Sequence, residues 1–182
     1  GLQHADTDLV LLTDANVTLE PNAVRRLVHA FADPEVGAAV GNVVLRSASG
    51  DIAGEGVYSR YEKAIHTAEG NFATMITVDG AFYGIRRELT APIPTDTITD
   101  DWFLASGALK QRRRIAYVPD AIGYELAAAS VAGEFTRKVR MIAGGFQTAI
   151  RHASVFLNPL AHPAVTFMFV SHKLLRWLVA LF

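Results

Sequence analysis

Apolar residues along this chain follow two rhythms. Leu9-Val10-Leu11-Leu12 is a short unbroken run, which predicts a strand buried on both faces, and Thr13-Asp14-Ala15-Asn16 then predicts a strand-end loop. Pro21 suits a first helical turn, and Val24, Leu27, Val28 and Phe31 follow at helical spacing, predicting a helix that ends near Asp33-Pro34. Val36 to Leu45 reads as the next strand and Ser47 to Gly54 as a Gly/Ser loop. Val57, Tyr61, Ala64, Ile65 and Ala68 then mark one face of a second helix. Thr74 to Ile85 alternates like a strand around Asp79-Gly80, and Pro92 and Pro94 predict an irregular loop leading to a helix that starts at Asp100-Asp101. A short strand, Arg114 to Val118, comes next. The long helix Val131 to Arg151 divides into a packing face of Phe135, Val139, Ile142, Phe146 and Ala149 and a polar row of Arg137, Arg140, Gly144, Gln147 and Arg151.

These elements predict an α/β domain with a mixed sheet, and 182 residues at 51% hydrophobic are enough for one core. The tail changes that picture. Phe167 to Val170 and Leu174 to Phe182 are apolar, but His172, Lys173 and Arg176 interrupt them, which predicts an interfacial helix and the start of a membrane helix. An amphipathic helix closing the core fits the same stretch. Charge is asymmetric: residues 134–182 hold six Lys or Arg against one acid, so this end is suited to phosphate or a lipid surface. The near-neutral total and the lack of an aromatic-basic stripe exclude nucleic acid as a partner. With no cysteine there is neither a disulfide framework nor a thiolate metal site. The chain opens on Gly1 almost directly into an apolar strand, which predicts a segment of a longer polypeptide.

Three constellations carry candidate chemistry. Asp14 and Asn16, two apart at a strand end, can aim two oxygens at one hard cation such as Mg²⁺ or Mn²⁺; equally, they can satisfy the turn and cap the next helix. Asp100-Asp101 at a helix start beside Trp102 can supply a general base, or plain helix capping. Arg137, Arg140 and Gln147 form a row suited to gripping a diphosphate, or simply a solvated face. Transfer of a sugar from a nucleotide-diphospho-sugar needs all three at once.

In the order they occur, these segments resemble the membrane-associated family 2 glycosyltransferases of the cellulose and hyaluronan synthase type. "LLTDAN" resembles that family's D-x-D motif after a buried strand, "GAFYGIRR" (Gly80 to Arg87) its acceptor-side loop and strand, and "ITDD" (Ile98 to Asp101) its T-E-D base motif. "VYSRYEKAIHTAEG" (Val57 to Gly70) resembles the helix before the acceptor loop, and "SHKLLRW" (Ser171 to Trp177) the lead into C-terminal membrane helices. "RKVRM" (Arg137 to Met141) takes the place of the Q-x-x-R-W motif, which Gln111-Arg112-Arg113-Arg114-Ile115 only mimics.

The resemblance implies a partial GT-A fold. Residues 1–157 would form the C-terminal half of the transferase domain without its nucleotide-binding first half, and residues 158–182 the interfacial helix and membrane-helix start. Asp14 and Asn16 would hold the divalent cation, and Asp101 would be the catalytic base. Asp79, Gly80, Ala81, Asp100, Arg137, Arg140 and Gln147 would bind substrate. The donor would be a nucleotide-sugar and the acceptor a glycan or lipid-linked sugar, in polysaccharide synthesis. Membrane lipid would be a further partner, with the domain on the cytoplasmic side of a bacterial-type inner membrane. The sequence departs from the pattern at Asn16 (second Asp), Asp100 (Glu), Arg137 (Gln) and Met141 (Trp), and loss of that Trp removes a sugar-stacking surface. Two other readings remain: a haloacid dehalogenase-like phosphohydrolase with Asp14 as nucleophile, and a non-catalytic membrane-associated scaffold.

Overall fold

The computed structural model describes residues 2–46, 57–126 and 131–179, with the Ser47 to Gly54 stretch and the last three residues of the tail outside them. Among the described residues five strands form one mixed sheet: β1 (Leu9–Thr13), β2 (Thr18–Leu19), β3 (Val36–Arg46), β4 (Phe82–Arg86) and β5 (Arg114–Leu126). Their order is β1-β4-β3-β5-β2, with β3 and β5 parallel and the other neighbours antiparallel. The alternation of strand side chains divides the core in two. Ala39 and Phe82 face α1 (Ala23–His29), meeting Leu27 and Phe31. Ala38, Val40, Tyr83 and Ile85 face the opposite layer, built on α3 (Asp100–Lys110).

β1 is not the doubly buried strand its composition predicts. It lies at the sheet edge with β4 as its neighbour, so Leu9 to Leu12 are only half-buried. The alternation over Thr74 to Ile85 also overstates the ladder: the strand begins at Phe82, while Met75 and Ile76 are buried as irregular backbone held by Met75 N–H to Ile115 O (2.9 Å). β5 continues past Val118 to Leu126. Its pairing with β3 jumps from Gly41–Val118 to Asn42–Ile122, so Pro119, which has no N–H to offer, falls in a bulge.

α2 (Val57–Phe72), α4 (Val131–Arg151), α5 (Ala153–Phe156), α6 (Pro163–Met168) and α7 (Leu175–Val179) complete the described α-helices. The Gln111-Arg112-Arg113 run ends α3 in a Schellman turn. Arg113 N–H bonds Ala108 O (2.9 Å) and Arg112 N–H bonds Leu109 O (3.0 Å), which sets Arg112 at φ 58°, where glycine is commoner. On α4, Ile142, Phe146 and Ala149 pack as their spacing predicts, but Phe135 and Val139 are 69% and 51% exposed, so the packing face serves only the second half of the helix.

The tail folds back onto the domain. A π-helical stretch, Phe169–Leu174, joins α6 to α7, and Phe169 and Trp177 are buried against Trp102. Among the described residues no helix is long and apolar enough to cross a membrane. The tail is also tied to α2 by charge. His172 Nδ1 lies 2.7 Å from Glu69 Oε1 and its Nε2 3.7 Å from Glu62, whose other oxygen meets Arg176.

Candidate active site

The β1–β4 ladder carries one step past the last strand residue. Thr13 is opposite Phe82; Asp14 N–H then donates to Ala81 O (3.1 Å), and the Thr13 hydroxyl donates to the same oxygen (3.0 Å). The acid that leaves β1 is thereby pinned beside the turn that enters β4. That turn is closed by Asp79, whose Oδ1 accepts Ala81 N–H at 3.2 Å.

Asp101 reaches the same turn from the start of α3. A Cβ placed on Gly80 would lie 2.5 Å from Asp101 Oδ2, so only glycine lets this carboxylate rest on the backbone there. The other oxygen accepts Trp102 N–H (2.7 Å), and the Trp102 indole donates to Ile76 O (2.7 Å), tying the helix start to the loop before the turn. Burial pushes the Asp101 carboxyl up to about 6; the Trp102 N–H opposes this, while the charges of Asp100, Asp79 and Asp14 add to it. Burial and the same Asp101, Asp100 and Asp14 charges hold the Tyr83 phenol far above its usual range, so beneath this floor it remains an O–H group.

Asn16 Nδ2 donates to Glu125 Oε1 (3.0 Å), so the amide's carbonyl oxygen is the end left to face a ligand. Glu125 went unforeseen because 109 residues separate the two and β5 had been expected to stop at Val118.

The polar row of α4 closes another side. A Cβ on Gly144 would lie 2.5 Å from Thr99, two residues before Asp101. Gln147 Oε1 accepts Ile98 N–H (3.0 Å) and its Nε2 donates to Asp96 O (2.9 Å), so both ends of this amide are engaged with the loop before α3. Arg151, absent from the sequence-derived site, bonds Thr97 Oγ1 (2.9 Å) and Asp96 Oδ2 (2.6 Å). Arg140 lies one turn before Gly144 on this row and Arg137 just under two turns before it. Both are exposed, and Arg137 also contacts Met141 Sδ at 3.5 Å. The fold therefore assembles Asp14, Asp79, Gly80, Ala81, Asp100 and Asp101 around one turn. Gln147 stands in the wall behind them, and Arg137 and Arg140 lie farther along the same helix face.

The mixed sheet with its flanking helices matches a GT-A-like glycosyltransferase fold. Residues 9–182 match the family model of glycosyl transferase family group 2, and the chain belongs to that family. It is similar to the poly-beta-1,6-N-acetyl-D-glucosamine synthases of Staphylococcus aureus strains COL and N315, at 24% identity over 97% of the chain. In three dimensions it is similar to the mannosyltransferase of Pyrobaculum calidifontis solved with GDP-Man and Mn²⁺, with a TM-score of 0.65 and 22% identity over 99% of the chain. The chain spans 44% of those synthases and 57% of that mannosyltransferase chain. The phosphohydrolase reading is not favoured: the family match covers nearly the whole chain, and the residue two after Asp14 is an amide, which cannot donate an acid's proton.

Proposed function

We propose that this chain forms the acceptor-side half of an inverting glycosyltransferase that moves a sugar from a nucleotide-diphospho-sugar to a glycan or lipid-linked acceptor in polysaccharide synthesis. The observation that carries this is the seating of Asp101 on Gly80, next to the end of β1 where Asp14 is pinned. Asp101 is the base. Its Oδ2 takes the proton of an acceptor hydroxyl as that oxygen attacks the anomeric carbon, and the bond from that carbon to the diphosphate breaks with its electrons passing to the phosphate oxygen. Arg140, with Arg137 beside it on the helix, neutralises the charge that builds there. Gly80 and Ala81 form the floor on which the acceptor lies, flanked by Asp79 and Asp100.

A divalent cation fits the residues present. Asp14, Asp79 and Asp100 surround Asp101 and their charges oppose its ionisation, an excess of negative charge that calls for a cation. Among the described residues no three His, Cys, Asp or Glu side chains form a ready-made metal cluster, so a Mg²⁺ or Mn²⁺ here would take phosphate oxygens as its further ligands. Asp14 and the Asn16 carbonyl would hold it, and when bound it supplies charge neutralisation for the departing diphosphate. The Mn²⁺ bound by the similar mannosyltransferase supports the same choice.

A nucleotide-binding half would lie outside these residues, which span only 44% of the similar synthases and 57% of the similar mannosyltransferase. Residues 158–182 would lie at the cytoplasmic face of a bacterial-type inner membrane, a reading supported by Phe167 and Leu175, which stay exposed while their neighbours pack. Assaying the full-length chain against UDP- and GDP-sugars, with and without Mn²⁺, tests the proposal. It expects Mn²⁺-dependent transfer that Asp101→Asn removes, and near-normal transfer by that variant would refute it.

A further inference from the structure

The loop that delivers the base has little internal structure of its own. Residues 92–99 include two prolines and form no strand or helix, and within them a single backbone bond, Thr97 N–H to Pro94 O (3.0 Å), is made. Asp101 is the second residue of α3, two after this loop ends. Any play in residues 96–99 therefore becomes play in the carboxylate.

What holds those four residues is one face of α4. Gly144 takes the close approach of Thr99, Gln147 binds Ile98 N–H and Asp96 O, and Arg151 binds Thr97 Oγ1 and Asp96 Oδ2. The spacing 144, 147, 151 is that of adjacent turns, and Arg140 continues the row one turn further on. The same rigid helix thus carries both the cation for the leaving group and the clamp on the base.

We infer that Gln147 and Arg151 are positioning residues, which fix Asp101 relative to Arg140 by holding residues 96–98 to α4. This rests on the glycosyltransferase reading above and gives Gln147 a task other than contact with substrate. Energetics favour positioning over support of the fold. The Arg151–Asp96 pair is solvent-accessible, with side chains 25% and 71% exposed, and such pairs add little to stability. Its two-point geometry nevertheless defines a direction, and the Gln147 amide defines a second, because both its ends are bonded to backbone.

The test compares variants of the full-length chain, using whichever UDP- or GDP-sugar the unaltered chain transfers with Mn²⁺. Gln147→Leu and Arg151→Ala are expected to lower kcat by about 10- to 100-fold, the scale set by a displacement on the order of 1 Å. The donor KM is expected to stay within about 3-fold and Tm to stay unchanged, since donor affinity and the core are untouched. Arg151→Lys keeps a cation opposite Asp96 and recovers part of kcat. Asp96→Ala reproduces Arg151→Ala, and the double variant is no worse than either. Transfer at the unaltered kcat in both Gln147→Leu and Arg151→Ala would overturn the inference while leaving the glycosyltransferase reading intact. So would a loss of kcat that tracks a fall in Tm and is not recovered by Arg151→Lys. Absence of transfer by the unaltered chain with every donor would remove the parent reading, and this one with it.

Discussion

Two groups of charged side chains in this domain are put together in opposite ways. At the end of β1 stand Asp14, Asp79, Asp100 and Asp101, all of one sign; among the described residues none of them forms an ion pair, and Asp101 is forced up to about 6. Between α2 and the tail, Glu62 and Glu69 meet His172, Lys173 and Arg176, so each acid faces groups of the opposite sign. Glu69 is only 6% exposed, yet its partner His172 is held above the usual imidazole range by its bonds to Glu62 and Glu69, against the pull of burial. A self-compensated cluster is a seam that joins parts of a fold. A one-signed cluster costs the fold free energy and is retained where something of the other sign is to bind.

The largest effect that separates the two groups is catalytic. In the full-length chain, Asp101→Asn should lower kcat by about 10²- to 10⁴-fold, the usual weight of a general base, with Tm unchanged or higher. The next is structural. Glu69→Leu leaves His172 and Lys173 buried with one counter-charge fewer and should cost on the order of 3 kcal/mol, read as a Tm lower by several degrees. If Glu69→Leu proved neutral and Asp101→Asn unfolded the protein, the assignment of seam and site would be reversed.

pH dependence sharpens the same contrast. The Asp101 carboxyl rises from its ordinary 3.8 to about 6 in the folded chain, so its protonated form is favoured there and stability falls as pH climbs through that window. Activity runs the other way, because the base must be ionised: kcat/KM measured with Mn²⁺ should rise with pH along an acid limb at or below about 6, since a bound cation offsets the charges that raise Asp101. Asp79→Asn removes one of the charges that raise this group and should move the limb to lower pH. His172 is also raised, so the stability it contributes is present at low pH and lost as pH rises through its folded value. A Tm profile of Glu69→Leu should show a smaller loss, because Glu62 still holds His172 up. The smallest effect is that of Asp14→Asn on stability, within about 0.5 kcal/mol, because the group is exposed and its removal relieves repulsion.

What could be read from the sequence follows from the range of the interactions involved. The spacing of Val57 to Ala68 and the polar row of α4 are local and periodic, and both elements stand where that periodicity puts them. Asp14, Gly80 and Asp101 were marked by residue type and by their order along the chain, and the ladder and turn bring them together. Periodicity failed where tertiary context decides burial. Phe135 and Val139 share a face with Ile142 and Phe146, but only the latter two meet the core. The edge position of β1, the bulge that carries β5 past Pro119, and the pairs Asn16–Glu125 and Glu69–His172 join residues distant in sequence. Arg151 was visible as one more cation in a row, but its partner Asp96 had no local signal.

If the acids at the end of β1 form a cation and diphosphate site, they take up Mn²⁺ beside a nucleoside diphosphate. Titrating Mn²⁺ into the full-length chain, with UDP or GDP present, and following the free-ion electron paramagnetic resonance signal tests it most directly. Saturable loss of that signal is expected, weakened at least tenfold by Asp14→Ala and unchanged by Glu69→Gln. Equal Mn²⁺ uptake by the unaltered chain and Asp14→Ala would contradict it.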